Sequence, residues 1–306
     1  MNRRAFTQSI AAAALAAAAP SMPAASRASS PEPLAAAAGE GSFGISIMLW
    51  TVFNKLPFEQ RLEKVAEAGY TNVELVGEYA KWTPDEFAKA NAARKRLGIH
   101  FDATAGLHTP LVDASKRDAF LAEFKAALTP METLGCPAMI VLSGNTLPDV
   151  PREKQHEAMV ETLKRAAEMI EGKQIEGQPV KLLVECIDPE ENQKIYLTSA
   201  QEGMDIVHQL NHPQVRFLYD MYHEQIGHGN LIEKLEKNID TVDLIHIADV
   251  PGRHEPGTGE INYESIYRKL GKLNYKGMVA MEFYPTGDPV TMLRDQKKYA
   301  LDKAKG

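Results

Sequence analysis

The sequence predicts an α/β protein, an eight-stranded (β/α)8 barrel of the TIM type, and three observations carry that expectation. From Phe43 onward, short apolar β-branched runs alternate with longer amphipathic segments, and eight such pairs can be counted. Strands separated by helices imply parallel pairing through βαβ crossovers. The first apolar run continues as Leu49-Trp50-Thr51-Val52-Phe53, without the GxGxxG or GK[ST] turn that marks an open nucleotide-binding sheet. A length of 306 residues, 44% hydrophobic and 25% charged, suits one barrel of about 250 residues.

The expected strands are residues 44–50, 72–76, 100–106, 138–144, 181–186, 215–220, 242–249 and 277–284. The expected helices lie near 57–68, 84–97, 116–134, 153–173, 200–210, 231–239, 264–273 and 289–303. Taken along the chain, Gly69 closes the first helix in a left-handed residue, and Gly98 and Gly135 close the second and third in the same way. Thr83-Pro84-Asp85-Glu86 opens the second helix with an N-cap, a proline at the first helical position and a carboxylate that completes a capping box. Ser199-Ala-Gln-Glu202 predicts a second capping box before the fifth helix.

Ahead of the barrel, Asn2-Arg3-Arg4-Ala5-Phe6 and the Ala-rich stretch from Ile10 to Ala19 read as a twin-arginine export signal. Residues 1–28 are the expected signal peptide, with Ser26-Arg27-Ala28 as a usable cleavage site, residues 29–42 a linker and residues 43–306 the barrel. The apolar run is too short and weak to span about 30 Å of hydrocarbon, and no Cys lies near the cleavage region, so no stable membrane anchor is expected. A periplasmic or secreted location follows. Loss of Arg3, Arg4 and Arg27 would leave 31 basic against 41 acidic residues, moving the net charge from −7 to −10, which argues against a nucleic-acid partner. Cys136 and Cys186 are expected to stay unbridged, because the strand assignment sets them a strand length apart.

Barrel strands should be nearly all apolar, since both faces are covered. Four late strands break that rule near their C-terminal ends: Leu182-Leu-Val-Glu185, Phe217-Leu-Tyr-Asp220, Leu244-Ile-His246-Ile and Val279-Ala-Met-Glu282. In a barrel those ends converge on one mouth, where three carboxylates would repel one another without a cation. Carboxylate oxygens plus one imidazole, with room for water or substrate, suit one six-coordinate divalent ion; the imidazole favours Mn²⁺, with Mg²⁺ or Co²⁺ as alternatives. Taken singly, each residue also has a bland reading as a strand-end salt bridge, a turn cap or a core histidine. Four at equivalent depth in consecutive strands favour the ion.

The run from Ala248 to Tyr263, Ala-Asp-Val-Pro-Gly-Arg253-His-Glu-Pro-Gly-Thr-Gly-Glu-Ile-Asn-Tyr, resembles the seventh βα loop of hydroxypyruvate isomerases. Tyr219-Asp220-Met-Tyr-His223 resembles their sixth strand end, and with Val-Glu185-Cys-Ile and Met-Glu282-Phe-Tyr the likeness covers most of the chain after residue 43, within the wider xylose-isomerase-like barrels. The resemblance implies a metal site on Glu185, Asp220, His246 and Glu282, with the two glutamates also acting as the acid/base pair of an aldose–ketose-type isomerisation through an enediolate. It further implies a substrate contact at His223, which otherwise reads as a loop histidine. Arg253 would clamp a substrate carboxylate, or pair with Glu255 or Glu260 at the surface. The partner is a small hydroxycarbonyl or sugar, and homo-oligomers are common among such relatives.

Trp50, Glu74, His108 and Glu191 are further candidates for the pocket, His100 and Asp102 alternate along the third strand and could face inward, and His228 reads as a loop residue. His246 stands where hydroxypyruvate isomerases carry Gln and instead matches ketose 3-epimerases of the same superfamily, which leaves epimerisation open. Two other readings stand beside these. An endonuclease IV-like phosphodiesterase would need an Asp where Gly252 stands, and a non-catalytic periplasmic sugar-binding barrel would bind without turnover.

Overall fold

In the computed structural model, which describes residues 43–306, the apolar runs close into one parallel barrel. The expected export signal and linker lie outside the described residues. The strands are β1 Gly44–Met48, β2 Asn72–Val76, β3 His100–Ala105, β4 Ala138–Leu142, β5 Lys181–Glu185, β6 Val215–Asp220, β7 Val242–Ile247 and β8 Met278–Met281. Each pairs with its neighbours in sequence, and β8 returns to β1. The outer helices are α1 Phe58–Glu67, α2 Pro84–Leu97, α3 Arg117–Leu134, α4 Arg152–Ile170, α5 Ala200–Leu210, α7 Leu231–Asn238, α8 Tyr263–Lys272 and α9 Pro289–Ala304. A short extra helix, α6 Met221–Gly227, follows β6.

Strand side chains divide by alternation. One set, including Ile47, Val73, Phe101, Val141, Val184, Phe217 and Ile245, packs outward against the helices. The other fills the barrel with Met48, Ala103, Ala138, Ile140, Leu183, Leu218, Leu244, Met278 and Ala280. At the end where the strands begin, the interior is closed by a buried ionic cluster. Asp243 accepts from Lys181 Nζ at 2.5 Å and from Arg216 Nε at 2.8 Å, and all three side chains are shut off from solvent.

Local chemistry explains most boundaries. Thr83 and Glu86 form the expected capping box, and Gly69, Gly98 and Gly135 all adopt positive φ. Ser199 corrects an expectation: it makes no side-chain cap bond, and Glu202, the other half of the expected box, pairs instead with Arg152 at 2.5 Å, while the first helical N–H, that of Ala200, is satisfied by Glu224 Oε2 at 2.8 Å. The fourth helix ends at Ile170, three residues short of its expected end, and is followed by a two-stranded antiparallel ribbon, Gln174–Ile175 with Gln178–Pro179, whose two-residue turn places Glu176 and Gly177 at positive φ. His100 is exposed at the start of β3, whereas Asp102 turns in and accepts from Ser46 Oγ at 2.7 Å. The pairing of β2 with β3 slips by one residue there, so alternation from His100 does not carry across. Cys136 and Cys186 are both free and buried.

The ionic cluster sets a stability test far from the mouth. Asp243→Ala leaves Lys181 and Arg216 without their shared carboxylate in a closed environment and should cost about 3–5 kcal/mol, read from denaturant unfolding. A loss below about 1 kcal/mol would show that the cluster does not hold the barrel floor.

Candidate metal centre

Glu185, Asp220, His246 and Glu282 each present one ligand atom at the mouth, and these atoms all lie within 4.8 Å of one another. Backbone register brings them together. Asp220 is paired with His246, His246 with Ala280 and Ala280 with Ser46, all pointing into the barrel, and Glu282 stands two residues beyond Ala280. Glu282 lies just past β8, where its N–H donates to the Ile247 carbonyl at 3.0 Å and continues the ladder.

Three of the four side chains, Asp220, Glu282 and His246, are oriented by a further contact. Asp220 caps α6, its Oδ1 accepting the N–H groups of Tyr222 at 2.7 Å and His223 at 3.1 Å, which leaves Oδ2 for the cluster. Glu282 Oε1 accepts from Trp50 Nε1 at 2.8 Å. His246 lies with Nε2 2.8 Å from Glu74 Oε2, while Nδ1 faces Glu282 at 2.8 Å, Glu185 at 3.7 Å and Asp220 at 3.9 Å. That Nδ1 is fully buried and, among the described residues, makes no aligned hydrogen bond, the 2.8 Å approach of Glu282 being a charge contact. A buried imidazole nitrogen left unbonded amid three carboxylates is the donor set a divalent cation completes, so the residues fit the ion.

Beside the cluster, His223 is buried on α6 rather than solvated, with Nδ1 2.6 Å from Asp188 Oδ2 and Nε2 3.5 Å from Asp220 Oδ2. Asp188 Oδ1 in turn accepts the N–H groups of Glu190 and Glu191, fixing the loop after β5. Arg253 donates to Glu282 Oε2 at 2.7 Å and to Glu191 Oε2 at 2.9 Å, lies 3.4 Å from Asp220 Oδ2, and stacks its guanidinium over Tyr222 and Trp50. Its surface alternative, pairing with Glu255 or Glu260, is therefore replaced by the site: Glu255 bonds Thr286 and Glu260 bonds Gln225.

The Arg253 loop is organised by Asp249, whose oxygens accept from the N–H groups of Val250, Gly257, Gly259 and Ile261. A Cβ on Gly259 would stand 2.0 Å from the Val250 carbonyl oxygen, so the loop closes only with glycine there. His254 turns away, 2.8 Å from the Tyr284 carbonyl. His108 is exposed, its backbone N–H held by Glu123, and no contact of its imidazole with the cluster occurs among the described residues. Sequence reasoning missed Asp188 and Asp249 altogether and took Glu74 only as a candidate for the pocket lining, not as the partner of His246; an acidic residue three positions beyond a strand end was the available signal for Asp188.

The opposite half of the mouth is apolar. Leu142 is in register with Glu185, and Val76 with Ala105, so both face inward, and they are 40% and 41% exposed. Trp50 and Tyr284 meet edge to face at 5.5 Å on the same rim. The ion-binding half and the hydrocarbon half thus face each other across the opening.

Electrostatics separate the two glutamates. Burial raises the Glu185 carboxyl, and although His246 opposes it, the carboxylates of Glu282 and Asp220 help hold it up at about 8. Burial acts on Glu282 too, but His246 and Arg253 outweigh it and keep that carboxyl well below its ordinary range. For His223, burial favours the neutral ring, yet Asp220 and the Asp188 hydrogen bond prevail and lift it to about 9.

The family model for the xylose isomerase-like TIM barrel matches residues 62–302. The 2-oxo-tetronate isomerase of Haemophilus influenzae is 29% identical over 262 residues, covering 82% of this chain and 97% of that protein. The hydroxypyruvate isomerase of Escherichia coli is 28% identical over 245 residues, covering 78% and 93%. Among solved structures, the AP endonuclease, family 2, from Brucella melitensis superposes with a TM-score of 0.73 at 26% identity, covering 85% of this chain and 99% of that one.

A pH dependence follows for protein stripped of divalent ions. Glu185 and His223 are both raised on folding, from 4.5 to about 8 and from 6.5 to about 9, so the stability they contribute is complete below the lower values and is lost as pH climbs through the higher ones. In chelator, the melting temperature should fall between pH 6 and 9, and excess Mn²⁺ should raise it most at the alkaline end, where the ligands are deprotonated. A melting temperature that is flat with pH in chelator would contradict these assignments.

Proposed function

The chain belongs to the xylose isomerase-like TIM barrel family, and on that premise we propose that it is a divalent-metal-dependent isomerase. It moves a carbonyl between adjacent carbons of a small hydroxycarbonyl substrate through an enediolate. The observation that carries this reading is the convergence of Glu185, Asp220, His246 and Glu282 on one point, two glutamates among them. Three oxygen donors with one imidazole suit Mn²⁺, with Mg²⁺ or Co²⁺ able to replace it. An ion held by these four residues would supply Lewis-acid stabilisation of developing negative charge on the substrate.

The remaining work falls to the chain. Isomerisation requires a base at the carbon bearing the hydroxyl and an acid at the next. Glu282, beside Arg253, and Glu185 form that pair, one taking the proton and the other returning it. Their roles exchange in the reverse direction. His223, oriented by Asp188 through Nδ1, directs Nε2 at the developing oxyanion. Arg253 now neutralises Glu282 and Asp220; once a cation shares that charge, its planar fork is available to a substrate carboxylate. The names of the Haemophilus and Escherichia relatives both specify substrates that carry one.

The apolar rim of Val76, Leu142 and Trp50 offers few hydrogen bonds to a long polyhydroxylated tail, which favours short substrates. A second reading, ketose 3-epimerisation, uses the same glutamates on the two faces of one carbon and is favoured by the imidazole of His246. Twin-arginine export would carry the folded, ion-loaded barrel to the periplasm or beyond.

Incubation with Mn²⁺ and hydroxypyruvate, tetronates or ketoses in D₂O should exchange the C–H beside the carbonyl, followed by NMR, and product analysis separates isomer from epimer. Glu185→Gln is expected to keep its ion and lose about 10²–10⁴-fold in exchange rate. Asp220→Ala should lose most of its ion by metal analysis. Measurable binding of these compounds without any exchange would contradict the isomerase reading and favour a binding barrel.

A further inference from the structure

The proposed reaction makes no use of Glu74, yet its placement is among the least expected in the molecule. It lies on β2 and points into the barrel, in register with two apolar residues, Met48 on one side and Ala103 on the other. It is completely buried. No Lys or Arg pairs with it among the described residues; its contact is with His246, 172 positions away, and Oε1 has no hydrogen-bond partner. Burying a carboxylate there costs several kcal/mol in effective terms, and a side chain chosen for packing would be apolar like its neighbours.

We propose that Glu74 is a positioning residue that fixes the imidazole of His246 for the ion. Its Oε2 lies 2.8 Å from Nε2, so in the ion-binding form the ring carries its proton on Nε2, donated to Glu74, and presents the Nδ1 lone pair to the space shared with Glu185, Asp220 and Glu282. Two things are set by that one bond: which nitrogen is a ligand, and how the ring is rotated. Without an acceptor at Nε2, the neutral ring is free to hold its proton on Nδ1, facing the carboxylates, where it blocks the position the cation takes. The barrel makes the bond dependable. Glu74 and His246 are each held by strand pairing on both sides, and Ser46, in register with Ala280 beside His246, engages Asp102 below rather than competing for the ring.

The inference rests on the metal reading above, and the test separates the two. Mn²⁺ affinity is measured by electron paramagnetic resonance of the free ion with wild type, Glu74→Gln, Glu74→Leu and Glu74→Ala, each checked for folding by thermal melting. Glu74→Gln keeps a carbonyl oxygen for Nε2–H and should stay within a few-fold of wild type, whereas the Leu and Ala variants should weaken binding about 10–100-fold. In ¹⁵N NMR of the Mg²⁺-loaded protein, His246 should show a protonated Nε2 and an unprotonated Nδ1 in wild type and in the Gln variant. Wild-type Mn²⁺ affinity in a folded Leu or Ala variant would overturn the role of Glu74, as would equal weakening in Gln, Leu and Ala. If Leu and Ala fail to fold, the ¹⁵N pattern still decides: a protonated Nδ1 in the loaded wild-type protein overturns the proposal. Failure of wild type itself to bind Mn²⁺ would overturn the metal reading instead.

Discussion

The mutual repulsion of three buried carboxylates governs this molecule. Glu185, Asp220 and Glu282 bring oxygens within 4.8 Å of each other and of His246 Nδ1, where like charges cannot all persist unless something positive lies between them. Within the chain, Arg253 reaches in from its loop to Glu282, and burial with the neighbouring carboxylates holds the Glu185 carboxyl up at about 8. Both responses identify the same point as the place for a cation. The scaffold around it resists relaxation, because Glu185, Asp220 and His246 lie on strands paired on both sides, and Asp220, His246 and Glu282 are tied by further contacts.

Division of the mouth into two halves follows from the same register. Strands β5 to β8 end in ligands, while β2 to β4 end in Val76, Ala105 and Leu142. The polar half can bind, polarise and exchange protons; the hydrocarbon half can only exclude water and limit size. Reaction type therefore lies with one half of the barrel and selection among substrates largely with the other, joined by Trp50, which bonds Glu282 and stacks near both Arg253 and Tyr284.

The barrel and the convergence of Glu185, Asp220, His246 and Glu282 at its mouth were legible because both depend on local pattern. Alternation assigns inward and outward positions strand by strand, and a polar residue at an inward position stands out against Leu182-Leu-Val or Phe217-Leu-Tyr. Partners fixed by the closed sheet were not legible. Glu74 meets His246 across 172 residues, Asp188 meets His223 only because Asp220 starts an extra helix, and the β2–β3 slip at Asp102 defeats counting from His100. Expected strands 44–50 and 277–284 overran for a related reason: composition continues apolar beyond the last ladder bond, but Leu49–Thr51 turns into a 3₁₀ segment and the chain leaves the sheet after the Glu282 N–H bond to Ile247.

The most direct test of the central claim is a diffraction measurement on Mn²⁺-soaked crystals at the manganese absorption edge. The account predicts one anomalous peak at the mouth, bonded to His246 Nδ1 and to oxygens of Glu185, Asp220 and Glu282. No peak there, or a sole peak at Asp188, Glu191 and His223, would contradict it.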